Sequence, residues 1–315
     1  MKPTTLLLKY NKVTNDSFSR LESSLPSVKY GDLARFGKEM DVLLYNTLAR
    51  YLTELMPFHR VVIGDVFWPT GQHICQWCKQ QKIRCFFLQH GQWIYTKNKK
   101  SPHHLPYCTM VYGDNVEAMT DEWPYGSRSK VVATGNPKYD LITPVAGGDY
   151  IYFCPPVMKE LVPNGANKVH KRNVRLLQTI AGLDKGVEML LHPHYREGNI
   201  SALRKMFPTA QMTDPKADPL PLILKSSHVL THRDSTTIMD AIACGKPSIL
   251  LNFKGIRSIF PKGYFGDLAF DCETLEECRS ALVSTPFEVN EYYAQKAKPH
   301  LYLGNASARI AALLV

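Results

Sequence analysis

Apolar residues in this chain recur in two alternating rhythms. Short continuous apolar runs, suited to strands buried on both faces, fall at Thr4–Lys9, Arg60–Gly64, Arg84–Leu88, Tyr107–Tyr112 and Lys130–Ala133. Between them lie stretches with helical spacing. Lys38–Met56 carries apolar side chains at 40, 43, 44, 48, 51, 52 and 55, and Gly71–Gln81 and Val116–Glu122 read as further helices. The segment Pro144-Val-Ala-Gly-Gly-Asp149 interrupts the rhythm and reads as a linker. The alternation then restarts with strand Tyr150–Cys154, helix His170–Ala181, strand Val187–Leu191, helix Ile200–Met206 and strand Ala210–Thr213. Helix Leu220–Lys225, strand His228–Thr231, helix Thr236–Ala243, strand Ser248–Asn252 and a closing helix Ala306–Leu314 complete it. Strands alternating with helices predict parallel sheets covered by helices. The expected fold class is therefore α/β, with two Rossmann-like domains, 1–146 and 147–315, facing across a cleft.

Ligands in such folds sit at the carboxyl ends of strands, and four polar segments fall there. They are Leu88-Gln-His-Gly91, Thr134-Gly-Asn-Pro-Lys-Tyr-Asp140, His192-Pro-His-Tyr-Arg-Glu197 and the turn Asp234–Asp240. The last has the plainest chemistry. Ser235, Thr236 and Thr237 stand where a helix begins, so free amides, hydroxyls and the positive end of the helix dipole coincide. That arrangement suits a phosphate, and Asp240, one turn on, is placed to accept from a ribose. An ordinary Ser/Thr cap on a βα unit remains the alternative.

Composition narrows the partners without choosing one. The chain has 315 residues, 44% of them hydrophobic and 21% charged, as in a globular protein with a sizeable core. Its net charge of +10 is spread over both halves and favours anionic partners such as nucleotide phosphates, anionic glycans, lipid surfaces or nucleic acid. No apolar run is long enough to span a bilayer, and no secretory signal is evident, so the expected location is the cytoplasm. Eight cysteines at irregular spacing are then expected as thiols. Cys75-x-x-Cys78 has a spacing known from zinc sites, with His73, Cys85 and His90 nearby. Ile74, Cys75, Trp77 and Cys78 also form one face of a helix, and burial of that face is the preferred reading.

The order of these segments, with Asp240-Ala-Ile-Ala-Cys-Gly-Lys-Pro247 after the hydroxyl-rich turn and Gly304-Asn-Ala-Ser-Ala-Arg-Ile310 near the end, resembles the GT-B glycosyltransferase superfamily. Its relevant members are the CDP-glycerol glycerophosphotransferases, the capsule Kdo transferases and the related UDP-GlcNAc 2-epimerases. The likeness covers roughly residues 84–314. It implies an N-terminal acceptor domain and a C-terminal donor domain whose last helix crosses back onto the first. It further implies that Ser235, Thr236 and Thr237 bind the donor's phosphates, with Asp240 on the ribose where many relatives carry Glu. His192, His194 and Arg196 would line the donor side, Lys138 would face the phosphates, and His90 would be the base that deprotonates the acceptor. His232 and Arg233 stand where relatives often carry an acidic residue and an aromatic or small one, making the phosphate side more basic here.

The expected reaction is metal-independent transfer of a sugar from a nucleotide-activated donor, such as a UDP- or CDP/CMP-linked one, to a hydroxyl acceptor, with a positioned His base favouring inversion. Surface polysaccharide or glycolipid synthesis is the expected setting. No cofactor or metal is expected, since no Asp-x-Asp pair occurs in the chain. Trp93, Lys97, Lys99 and Lys100 form a basic, aromatic segment after His90 that reads as acceptor-binding or as a solvated loop. Basic residues interleaved with aromatics also fit DNA, and a phage-type DNA base glycosyltransferase is one alternative. A 2-epimerase-like isomerase is another. It would have to use Asp65, Asp114 and Glu117, and it lacks the His-Val-Glu-Ala-Gly segment usual in that chemistry. A non-catalytic sugar-nucleotide binder is a third.

Overall fold

The computed structural model describes residues 4–9, 12–33, 36, 42–64, 69–90, 104–115, 129–155, 188–193, 200–208, 210–233, 235–252, 260–283 and 288–314. The first elements are β1 (Thr5–Lys9), α1 (Lys12–Glu22), β2 (Val28–Asp32), α2 (Val42–Glu54), β3 (Arg60–Ile63), α3 (Pro69–Gln80), β4 (Arg84–Leu88), β5 (Cys108–Val111) and β6 (Lys130–Ala133). These strands form one parallel sheet in the order β2-β1-β3-β4-β5-β6. Leu6, Leu7, Leu8, Val61, Val62, Phe86 and Phe87 are all buried, as a sheet covered on both faces requires.

The following elements are β7 (Tyr150–Phe153), β8 (Met189–Leu191), α4 (Ile200–Met206), β9 (Gln211–Met212), α5 (Pro219–Leu224) and β10 (Ser226–His232). Then come α6 (Thr237–Cys244), β11 (Ser248–Leu251), β12 (Ala269–Cys272), α7 (Leu275–Val283), α8 (Tyr293–Ala297) and α9 (Ala306–Leu314). A second parallel sheet runs β12-β11-β10-β7-β8-β9. Its core gathers Ile151, Phe153, Leu191, Leu203, Leu230 and Ile249. Among the described residues, no helix is long and apolar enough to cross a membrane.

The chain divides into two compact units, residues 1–141 with 298–315, and residues 142–297. The division precedes the Pro144–Asp149 stretch because that stretch is seated on the second unit. Val145 N–H donates to Cys244 O at 3.0 Å, the Lys246 ammonium to Gly147 O at 2.5 Å, and Asp149 N–H to Lys225 O at 2.9 Å. The closing helix α9 belongs to the first unit, where Ile310 and Leu314 pack with Leu7, Phe18, Val62 and Phe86.

Several elements carry little apolar signal. In α1 Phe18 and Leu21 are the buried apolar side chains among those described, in a largely polar run, and β2 is only partly buried. The expected helices at 116–122 and 170–181 lie outside the described residues.

The return of the chain to the first unit leaves no room at Gly113. A Cβ there would lie 2.5 Å from the His300 carbonyl carbon, 2.6 Å from Lys298 O and 2.7 Å from Leu301 N. All three are backbone atoms, so no rotamer change relieves the clash. Gly113→Ala is expected to destabilise the first unit by at least about 2 kcal/mol. Denaturant unfolding of the variant checks this, and an unchanged midpoint would refute the close seating of the 298–301 segment.

Candidate functional site

In an open α/β sheet, ligands bind outside the strand carboxyl ends, where the strand order reverses. In the second sheet that point lies between β7 and β10, and the chain leaves β10 through Arg233 into the turn at Ser235–Thr237. In the first sheet it lies between β1 and β3, and β3 runs out into Gly64.

The turn before α6 divides its three hydroxyls between structure and surface. Ser235 Oγ accepts the Thr237 N–H at 3.2 Å, an ordinary capping use. The Thr237 hydroxyl is buried against the Cys154 thiol, whose pKa is pushed up to about 11, chiefly by burial. Thr236 differs: it is exposed, and its side chain makes no capping bond. Of the three, Thr236 is the one whose hydroxyl stands open at the positive end of the helix. Gly245, in the left-handed conformation at φ 72°, ends α6 by donating its N–H to Ala241 and Ile242 carbonyls.

Asp240 lies one turn into α6 and is only 6% exposed. Burial, and then the Cys154 and Asp240 charges, raise the Tyr152 phenol above its ordinary range. His192 leaves β8 and is equally enclosed. Its ring stacks on Tyr152 at 5.6 Å between centroids, and its Nδ1 is 2.7 Å from Thr213 Oγ1. His192 thus touches β7 and the residue after β9, and Asp240 lies near enough to Tyr152 of β7 to act on its phenol. His194 and Arg196 lie outside the described residues.

At the first sheet, Gln89 and His90 follow β4. Gln89 is pinned from three sides: its N–H donates to Met110 O, its Oε1 accepts Tyr112 N–H, and its carbonyl accepts Asn136 Nδ2. His90 donates a ring N–H to the Gly64 carbonyl, and packing around the ring pushes its pKa to about 4. The ring is therefore neutral at pH 7, with one nitrogen protonated toward Gly64 and the other carrying a lone pair. That is the protonation state a base requires.

The Thr134–Asp140 segment is largely occupied with structure. Asn136 Oδ1 accepts from Ser17 Oγ at 2.7 Å and from Lys138 N–H at 2.9 Å, and Arg309 Nε donates to Thr134 O at 2.8 Å. Asp140 accepts both N–H groups at the start of α9. Lys138 is partly buried, with its ammonium 5.3 Å from the Tyr139 ring centroid. Trp93, Lys97, Lys99 and Lys100 lie outside the described residues, as do Asp65 and Glu117. Asp114 accepts from Tyr302 Oη at 2.5 Å and pairs with Lys298 at 3.8 Å.

Cys75, Cys78 and Cys85 are all in the core, with Cys75 Sγ 3.9 Å from Cys85 Sγ. Contact with Cys75 and Cys78, together with burial, raises the Cys85 thiol. Among the described residues no group of three or more His, Cys, Asp or Glu side chains is arranged to hold a metal ion.

Two contacts beside these residues were not read from the sequence. Arg233, expected there with His232 to make the phosphate side more basic, forms a buried ion pair with Asp271 at 2.7 Å, and Thr213 Oγ1 lies 2.7 Å from His192 Nδ1. The lone signal for the first is a basic residue directly before a hydroxyl-rich turn. Its partner stands 38 positions away and has no local mark.

No protein-family model and no curated protein sequence matches this chain. Solved structures do match over its whole length. MnaA of S. aureus with UDP superposes with a TM-score of 0.68 at 14% identity, covering 99% of this chain and 96% of that one. The UDP-GlcNAc 2-epimerase of Neisseria meningitidis, bound to UDP-GlcNAc, gives 0.60 at 14% identity, covering 100% and 99%. The glycosyltransferase SnogD of Streptomyces nogalater gives 0.56 at 14% identity, covering 100% of both chains. With two parallel six-stranded sheets in these orders and full-length similarity of this kind, the chain has the α/β fold shared by GT-B glycosyltransferases and UDP-GlcNAc 2-epimerases.

Proposed function

We propose that the protein is a nucleotide-sugar-dependent glycosyltransferase of the cytoplasm, working without a metal cofactor on a hydroxyl acceptor. The observation that carries this reading is the start of α6. It stands at the reversal point of its sheet, with the Thr236 hydroxyl exposed and uncommitted to capping. The UDP and UDP-GlcNAc in the titles of similar structures support a nucleotide-linked donor. Eight free thiols support a reducing compartment.

In this reaction the neutral His90 ring takes the acceptor's proton as its oxygen bonds to the anomeric carbon. The bond from that carbon to the phosphate oxygen breaks, and the phosphate leaves with the bonding electron pair. A ring with a pKa near 4 is a weak base. It accepts the proton only as carbon–oxygen bonding makes the hydroxyl acidic, so attack and deprotonation are concerted; inversion follows if that attack is a single displacement on the face opposite the leaving phosphate. The net charge of +10 favours an anionic acceptor, and an anionic glycan or glycolipid is the class proposed here.

A thermal-shift panel of UDP, CDP, CMP, GDP and dTDP tests the donor assignment. A nucleotide at 100 times its dissociation constant adds about 2.7 kcal/mol of stability. Thr236→Val should weaken the hit about tenfold, as loss of one hydrogen bond to a charged group implies. Turnover should persist in chelator. Absence of stabilisation by any nucleotide would sink the reading. Interconversion of UDP-GlcNAc without an acceptor would replace transfer by epimerisation.

A further inference from the structure

The guanidinium of Arg233 has a buried donor that no protein atom takes. Nε donates to Asp271 Oδ1 at 2.7 Å and Nη1 to Phe260 O at 3.5 Å, whereas Nη2 is buried without a hydrogen-bond partner. Asp271 is engaged elsewhere at both oxygens, since Oδ1 takes Arg233 Nε and Oδ2 accepts the Gly263 N–H at 2.7 Å. The two side chains are 10% and 8% exposed. A guanidinium stays charged at every accessible pH, so this donor cannot be relieved by losing a proton.

Strand register places the group. Thr231 of β10 is level with Leu250 of β11, and Leu250 with Asp271 of β12. The Arg233 side chain therefore crosses the carboxyl end of β11 to reach β12. It lies along the same strand edge from which the turn to Thr236, three residues further along the chain, departs. An arginine fork with a spare N–H beside an open helix start is matched by an oxyanion, phosphate or carboxylate.

We infer that Arg233 reads the donor, its Nη2 taking an anionic oxygen beyond the phosphate held at Thr236; this rests on the nucleotide-sugar reading above. That oxygen belongs either to the sugar-bearing phosphate of a diphosphate donor or to the carboxylate of an acidic sugar. Asp271 is the positioning partner that fixes the fork.

Calorimetric titration of UMP, UDP, UDP-glucose and UDP-glucuronate into the wild type, Arg233→Met and Arg233→Met/Asp271→Asn distinguishes these cases. If another base wins the panel above, its nucleotides replace uridine's. The double variant keeps an acceptor for Gly263 N–H and avoids an unpaired buried carboxylate, so a folding defect in the single variant does not decide the outcome. A phosphate contact predicts that wild type binds UDP at least tenfold more tightly than UMP, and that both variants reduce this ratio below threefold. A carboxylate contact predicts an unchanged UDP/UMP ratio and loss of at least a tenfold preference for UDP-glucuronate over UDP-glucose. Nucleotide binding with both ratios at wild-type values in both variants overturns the inference and leaves the nucleotide-sugar reading standing. If no nucleotide binds the wild type, both fall together.

Discussion

Asp140→Ala is expected to destabilise the first unit by roughly 3 kcal/mol. The carboxylate accepts Ala306 N–H at 2.7 Å and Ser307 N–H at 2.8 Å, one on each oxygen. These are amides at the start of α9, which have no partner within the helix. Alanine leaves both unsatisfied, at about 1–3 kcal/mol for a buried donor, and removes a favourable charge at the positive end of the dipole. The damage reaches the core, since Ile310 and Leu314 of this helix pack with Leu7, Phe18 and Val62. Denaturant unfolding, read on the transition that includes the first unit, measures the loss, and hydrogen exchange of residues 306–314 should rise with it. Asp140→Asn should recover part of it, because one oxygen acceptor remains. A change below about 1 kcal/mol in the alanine variant would show that α9 is held by packing alone.

Acid should destabilise the same unit well above the usual carboxylate range. His90 and His300 both have pKa values lowered to about 4, in each case chiefly by burial. In the unfolded chain both titrate near 6.5. Above pH 6.5 neither state binds the proton and stability is full. Between 6.5 and 4 the unfolded chain takes up protons that the folded one refuses, so stability falls. The loss reaches its limit once the folded rings protonate near pH 4. A depression of this size corresponds to up to about 3 kcal/mol per ring. Urea midpoints at pH 7.5, 6, 5 and 4.5 should fall steadily, and His300→Gln should flatten the curve between 6.5 and 5. Equal slopes for variant and wild type would refute the assignment for His300. For the proposed base, the acid limb of kcat/KM belongs near pH 4, not near 6.5.

These results bear on how much of the protein is legible from residue order. Leu6–Leu8, Val61–Ile63, Phe86–Leu88 and Ile249–Leu251 are buried strand interiors wherever they sit, because a continuous apolar run is a local property. The helix expected at Thr236–Ala243 and found at Thr237–Cys244 was equally plain, from its hydroxyl start and Gly245 stop. Helix α1 was not, since among its described side chains the buried apolar ones are Phe18 and Leu21, in a largely polar run. The positions of the polar segments at strand ends were readable for the same reason as the strands themselves.

The partners of polar side chains were not readable. Asp140 looked like part of a ligand motif, yet its acceptors are spent on amides 166 and 167 residues later. His192 looked like a donor-lining residue, and its ring is enclosed by Tyr152 and Thr213. Arg233 meets Asp271 only because β11 pairs in register with both β10 and β12. From the order of residues alone came the α/β rhythm, the strand-end polar segments and the hydroxyl-lined helix start, all governed by neighbours within a few positions. Tertiary structure alone decided which hydroxyl stays open, which histidine is neutral and which arginine keeps a spare donor. Hydrogen bonding and desolvation depend on atoms brought together from distant segments, and periodicity carries no record of them.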